Sequence, residues 1–482
     1  MTTSTRPMEA AATASAPAPG PEGVFPTGVV QRLIGRPAVT WTAEDLVRLV
    51  DERGIRLVSL VHVGGDGALK VLDFAPRSRA HLRDVLDGGE RADGSSLFPG
   101  SGIPAGRSDV VLRPRLATAF LDPFSPLPTL ALLCGHEDAA GAPLPQSPDT
   151  IVRSAARRLQ QTCGVDLWAL GEVELFLGRS PRADDLPGAS DRGYHATSPF
   201  ALGEALRRRA LVLLADIGIA VKYGHSEVGR IEPAEAGELL WEQHEIELAL
   251  APLPEAADAV VLARWVLSNL AHREGMRVSF EPMLRRGHAG TGLHFHFSPV
   301  ARAEHDVVRR VDGSLTDPAR WLIAGLVEAG GALMAFGNRS ADSFVRLTQA
   351  KEAPSAIVWG EADRTALVRL PIVARTEHGR TVAPPTVEFR LPDGSAHPHL
   401  LLAGVAQAMT QARSAPGLDA ILQRTAASGG PVQPGGTVPV ARSFREVGEA
   451  LAARRDTFAA GDVFPATLLS QWIGRLSASS TP

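Results

Sequence analysis

The run GEVELFLG at residues 171–178 sets two carboxylates, Glu172 and Glu174, two positions apart in an otherwise apolar stretch. On a strand, side chains alternate between faces, so both glutamates share one side while Val173, Leu175 and Leu177 share the other. The apolar side demands burial. Two like charges beside a core repel at a cost of several kcal/mol unless something positive lies between them. Taken alone, the run also fits an exposed sheet face with two solvated glutamates.

The pattern recurs further along the chain. GLHFHFS (292–298) puts His294 and His296 on one side and Phe295 and Phe297 on the other. TVEFRLPD (386–393) does the same with Glu388 and Arg390 against Val387, Phe389 and Leu391. Three strands with paired ionisable groups describe one polar sheet face lined by Glu, His and Arg. Glu227 in KYGHSEVGR and Glu245 in EQHEIEL are two more candidates for it. A donor set rich in oxygen, with imidazole and no thiolate, favours Mg²⁺ or Mn²⁺ over zinc. Neither an HExxH helix nor a GxxxxGK[ST] loop is present, so a nucleotide would have to be held by metal and arginine. Arg346, Arg364, Arg369 and Arg390 supply bidentate partners for carboxylate or phosphate. The loop RRGHAGTG (285–292) carries Gly287, Gly290 and Gly292, which permit close backbone approach to a ligand.

Around these strands the chain reads as α+β with a largely antiparallel sheet, because the strand–helix order is irregular and polar residues alternate. Residues 1–24, small and Pro-rich, read as a disordered tail. Residues 25–147 read as a small domain: a Thr-capped helix in TAEDLVRLVDERG, strands in IRLVSLVHVGG, ALKVLDFAP, VVLRP and TLALLCG, and a helix in AHLRDVLDGG. A capped helix at 147–161 opens the large domain, 148–482. Its helices are expected near 200–216, 232–250, 254–274, 316–336 and 397–414, and RVSFEPML (277–284) is expected as a strand. Pro/Gly-rich 428–439 reads as a surface connection before a C-terminal helical stretch.

With a net charge of −4 and average composition, the chain offers no signal for a nucleic-acid or membrane partner. No apolar run approaches a membrane span, and no secretory signal is evident, so a cytoplasmic location is expected. Cys134 and Cys163, the only cysteines, read as buried thiols.

In these blocks, and in their order, the chain resembles class I glutamine synthetases. DGSS (93–96) and SDVVLRP (108–114) resemble the family's β-grasp N-terminal domain. GEVELFL resembles GxExEFF, and HSEV with QHE resembles HHEVxxGQxE. GTGLHFHFS resembles GSGMHxHxS. RLTQAKEAP and WGEADRTALVRLP resemble RLxPGYEAP and WxxxNRSxxIRxP, and TVEFRLPDGSAHPHL resembles RxExRxPDxxANPYL. The resemblance implies a curved sheet flanked by helices and ATP-dependent ligation of ammonia to the γ-carboxylate of L-glutamate. It implies two or more Mg²⁺ or Mn²⁺ ions per site: Glu174, Glu227 and Glu245 around one, Glu172, His294 and Glu388 around another. It further implies His296 and Arg369 near ATP, Arg364 and Arg390 on the transferring phosphoryl group, and Arg346 and Gly290 at the amino-acid substrate. Asp93 (from a neighbouring subunit), Tyr194 and the flap residue Glu352 would receive ammonium. The family forms hexameric rings, often stacked as dodecamers.

Departures from the family pattern gather at the amino-acid and amine end. Thr386 stands where an Arg is usual, Ala289 where an Asn is, and Ala350 and Lys351 replace Gly-Tyr in the flap. The usual NRS is DRT at 363–365, and the chain between Glu227 and Glu245 is longer, including IEPAEAGELLW. Only Tyr194 and Tyr223 are present, so a C-terminal adenylylation site is not expected. Three readings follow: a glutamine synthetase, a ligase joining an organic amine (polyamine, ethanolamine, methylamine) to glutamate or a related acid, or a catalytically weak sensor or assembly homologue.

Overall fold

The computed structural model describes residues 28–186, 188–301, 308–310, 312–349, 356–379, 381–427 and 438–479. The tail 1–24, the flap residues 350–355 and most of the Pro/Gly-rich connection lie outside the described residues.

Among the described residues the strands form two sheets. The first holds β1 (Leu57–Val63), β2 (Leu69–Phe74), β3 (Glu90–Asp93), β4 (Asp109–Pro114), β5 (Phe120–Leu121) and β6 (Thr129–Glu137), in the order β2-β1-β6-β4-β3, with β5 on β6. Only β1 and β6 run parallel; the other pairs are antiparallel. Thr42 and Asp45 close a capping box that starts the helix Ala43–Glu52. That helix sends Leu46, Val47 and Leu49 into a core with Val58, Leu60, Leu82, Leu112, Leu130 and Leu132. Val61 and Leu133, from the alternate face of β1 and β6, belong instead to the main core.

The second sheet holds β7 (Val165–Arg179), β8 (Val221–Ile231), β9 (Leu240–Leu248), β10 (Ala251–Pro252), β11 (Arg277–Ser279), β12 (Phe295–Ala301), β13 (Ala356–Glu361), β14 (Ala366–Leu370), β15 (Val387–Phe389) and β16 (Val438–Pro439). Its order is β16-β13-β14-β15-β12-β7-β9-β8, with β10 and β11 on β7. All pairs except β13–β14 are antiparallel. The result is an α+β unit whose curved sheet is flanked by helices. Val173, Leu175, Leu177, Phe295, Phe297, Val387 and Phe389 pack in one core with the helices Pro148–Cys163, Leu253–Arg273, Asp317–Gly337 and Pro398–Arg413. Contrary to the expectation that no apolar run approaches a membrane span, Asp317–Gly337 is long and apolar enough by length and composition, but most of it is buried in this core.

Two expectations are corrected. The segment 232–250 is no helix: β9 occupies Leu240–Leu248, hydrogen-bonded to β7 on one side and β8 on the other. A ladder on both edges outweighs the helix propensity of its Glu and Leu residues. RVSFEPML contributes only the short β11. Cys134 is buried and Cys163 partly so, both as free thiols.

Polar contacts join the first sheet to the helices. Arg115 lies 2.7 Å from Asp258 and 3.6 Å from Asp149, and Asp258 accepts from His399 at 3.0 Å. Next to them His136 (β6) contacts Ser147 Oγ at 2.8 Å and His62 (β1) at 3.0 Å. Burial first, then neighbouring positive charge, pushes His62 down to about 4 and His136 to about 3.

Candidate active site

Six strands that are neighbours in the sheet, β14, β15, β12, β7, β9 and β8, carry the polar groups. Their registers stack those groups in rows. Arg369 pairs with Glu388, and Glu388 with His296. Glu172 donates its backbone N–H to the His294 carbonyl and pairs across with Glu247, which faces Tyr223. Glu174 pairs with Glu245, and Glu245 with His225. A one-residue slip of any strand would turn its members to the opposite face, so the apolar packing of Val173, Leu175, Phe295 and Phe389 fixes the polar array.

Glu172 lies at the centre. Its Oε2 is 2.9 Å from His294 Nδ1 and its Oε1 is 2.9 Å from His296 Nε2. Burial opposes its charge, yet the two imidazoles hold its carboxyl well below the usual range. Those contacts raise His296 against the effect of its own burial. Thr386 Oγ1 sits 2.9 Å from His296 Nδ1, so the residue that replaces the usual Arg orients this imidazole. Glu388, almost wholly buried, accepts from Arg369 at 2.9 Å and from Arg390 at 2.6 Å. Burial works against its charge, and His296 and Arg390 help to keep its carboxyl below the usual value.

Glu245 is the opposite case. Burial and the charges of Glu172, Glu174, Glu227 and Glu247 push its carboxyl well above the usual range. So many carboxylates, with one forced toward its neutral form, fit a site that takes up positive charge. Three sets of side chains among the described residues converge closely enough to hold a cation: Glu172, His294 and Glu388; Glu172, Glu247 and His296; and His225, Glu227 and Glu245. The ligand types are those of hard divalent ions.

Of the expected site residues, Glu172, His294, Glu388, Glu227 and Glu245 enter these sets. Glu174 enters none: its Oε2 accepts from Gln243 at 2.9 Å and from the Gly292 amide at 2.7 Å. A Cβ on Gly292 would stand 2.7 Å from His294 Nε2 and 2.9 Å from Glu174 Oε1, so only glycine fits there. Arg346 is buried, donates to the Leu391 carbonyl at 3.1 Å and comes within 3.3 Å of His294 Nε2. Gly290 packs on it, and a Cβ there would meet Arg346 Cγ at 2.9 Å.

Tyr194, hydrogen-bonded to Arg364, stacks on His195 at 4.3 Å and meets His225 edge-on at 5.2 Å. His195 and Tyr223 lie 4.6 and 6.0 Å from the His225 ring. His195 also holds φ at 58°, in the left-handed region that few non-glycine residues adopt and in which histidine is among the enriched exceptions. Asp93 stands apart, at the end of β3 in the other sheet. Hydrogen bonds from Ser96, Ser108 and Ser95 hold its carboxyl far below the usual range. Glu352 lies outside the described residues.

The longer chain between Glu227 and Glu245 extends the β8–β9 hairpin instead of separating the two glutamates. Its turn is tied to the Gly-rich loop: Arg285 donates to Glu238 at 2.9 Å and to the Glu232 carbonyl at 3.2 Å. His225 and Glu247 were not expected. Each lies two positions from a chosen glutamate on the same strand face, and the helix reading of 232–250 hid that alternation for Glu247.

Residues 146–414 match the family model for the glutamine synthetase catalytic domain. The chain belongs to the glutamine synthetase family. It is 27% identical to the glutamine synthetase of Azospirillum brasilense over 460 residues, 88% of this chain and 93% of that one. In fold it is similar to the Plasmodium falciparum glutamine synthetase, with a TM-score of 0.74 at 17% identity, over 90% of this chain and 95% of that one. It is also similar to a GmaS–ADP complex, with a TM-score of 0.70 at 19% identity and the same coverage. The chain is therefore a member of the superfamily of ATP-dependent carboxylate–amine ligases.

Proposed function

We propose that the protein joins ammonia to the γ-carboxylate of L-glutamate, using ATP and passing through γ-glutamyl phosphate. The observation that carries this reading is the row of glutamates and histidines across five adjacent strands, with Arg346, Arg369 and Arg390 at its edge. A carboxylate oxygen of glutamate attacks the γ-phosphorus and ADP leaves. The amine nitrogen then attacks the acyl carbon, phosphate leaves, and a carboxylate takes the proton. Mg²⁺ or Mn²⁺, held by Glu172, His294 and Glu388 and by Glu227 and Glu245 with Glu174 or His225, would offset the phosphoryl charge. Arg346 and Gly290 would position the amino acid, Arg364 and Arg390 the phosphoryl group, and His296 and Arg369 the nucleotide, which the GmaS–ADP neighbour supports as an adenine nucleotide. Asp93 from a neighbouring subunit, Tyr194 and Glu352 would receive the ammonium. Asp93, held so firmly as an anion, suits charge binding, which leaves Glu352 as the base. The first sheet would be the family's β-grasp module, in a hexameric or dodecameric ring.

A second reading has an observation of its own. The rings of Tyr194, His195, His225 and Tyr223 cluster beside Glu227 and Glu245, and aromatic faces beside carboxylates suit an organic ammonium. Phosphate release with ATP, Mg²⁺ and L-glutamate, comparing ammonium with a panel of primary amines, decides between them. Ammonium as the best acceptor supports the first reading, and preference for an organic amine supports the second. No turnover with any acceptor would point to a different acid substrate, and then to the sensor or assembly reading.

A further inference from the structure

Glu247 belongs to no family block quoted above, yet it is the most enclosed acid of the site. β9 sets it opposite Glu172 on β7 and Tyr223 on β8, and it is 0% exposed. One oxygen, Oε1, receives Lys222 Nζ at 2.6 Å. The other, Oε2, is buried and makes no close hydrogen bond, its carboxylate having only the Tyr223 side chain as a further polar neighbour. Two carboxylates buried side by side are costly, and Lys222 meets only one oxygen of this pair, so the site has room for further positive charge.

The geometry shows where such a group would sit. Glu247 offers a carboxylate oxygen within 4.8 Å of ligand atoms of both Glu172 and His296. Thr386 engages His296 Nδ1 and leaves Nε2 directed at Glu172, the arrangement that presents an imidazole to a cation. Lys222 is one of three lysines in a chain otherwise rich in arginine, and its side chain remains 38% exposed. A flexible ammonium on a partly solvated stem can leave Glu247, where a fixed guanidinium fork could not.

We propose that Glu172, Glu247 and His296 form a divalent-cation position of their own, beside the one formed by Glu172, His294 and Glu388, with Lys222 as its tethered competitor. Glu172, with one oxygen toward each histidine, is shared between the two. The inference rests on the metal-dependent reading of the site.

The test is Mn²⁺ binding to the full-length, nucleotide-free protein, counted by electron paramagnetic resonance of free Mn²⁺ and by calorimetry. Glu247→Gln should lose one bound Mn²⁺ per subunit. Lys222→Met, which removes the competitor and keeps Glu247, should bind that ion several-fold more tightly. If wild type binds Mn²⁺ and both variants match it in number and affinity, the pair is a structural ion pair and the inference fails while the metal-dependent reading stands. If wild type binds no Mn²⁺, both fail together.

Discussion

Substituting His62 should make the protein less sensitive to acid, although it removes a buried contact. His62 and His136 are packed neutral, with values of about 4 and about 3 against about 6.5 for an unfolded histidine. As pH falls the unfolded chain therefore takes protons first. The stabilisation is complete above the ordinary histidine value and is lost as pH drops toward the folded values. Between pH 8 and pH 5, His62 alone costs the native state ~2 kcal/mol. His136 adds a similar amount, short of full additivity because the two rings are in contact. His62→Asn keeps a donor and acceptor near the Nδ1 position and removes the titration. It should start less stable than wild type at pH 8, yet lose ~2 kcal/mol less on going to pH 5. Urea midpoints read by circular dichroism at both pH values measure this difference, provided m is unchanged. Equal losses in wild type and variant would refute the reasoning.

Three further outcomes concern the site. Glu172→Ala or His294→Ala should abolish ATP turnover with the circular dichroism spectrum retained, and normal activity in either would remove the metal-site argument. Thr386→Val should cost about 10–100-fold in metal affinity by releasing His296; unchanged Mn²⁺ binding would make the Thr386 contact incidental. Gly290→Ala should raise KM for the amino acid more than it lowers kcat, since the added methyl displaces Arg346; an effect on kcat alone would remove Arg346 from substrate binding.

Much of the sheet and its polar face was legible because strand alternation is a local signal. Glu172, His294 and Glu388 each stand out as an ionisable group in an apolar strand-like run, and the same alternation implies that they share one face. Where local signals conflict, tertiary pairing decides. Residues 240–248 have the Glu and Leu content of a helix, and nothing in that segment alone shows that β7 and β8 will bond both its edges. Glu247 was lost with that reading. His225 is different: it shares a face with Glu227, but a lone histidine on a strand is most often a core residue, and only the β8–β9 register brings it to Glu245. Glu174 shows the reverse limit, since the sequence cannot tell that Gln243 and the Gly292 amide will occupy its oxygen.

The extended β8–β9 hairpin has a consequence for affinity. By holding Arg285 at both Glu238 and the Glu232 carbonyl, it restrains the Gly-rich loop at the proposed amino-acid end of the site. A loop held before the ligand arrives has less freedom to surrender on binding. The added residues would thus tighten binding without touching the ligand, and shortening the hairpin turn would weaken it with every contacting atom still in place.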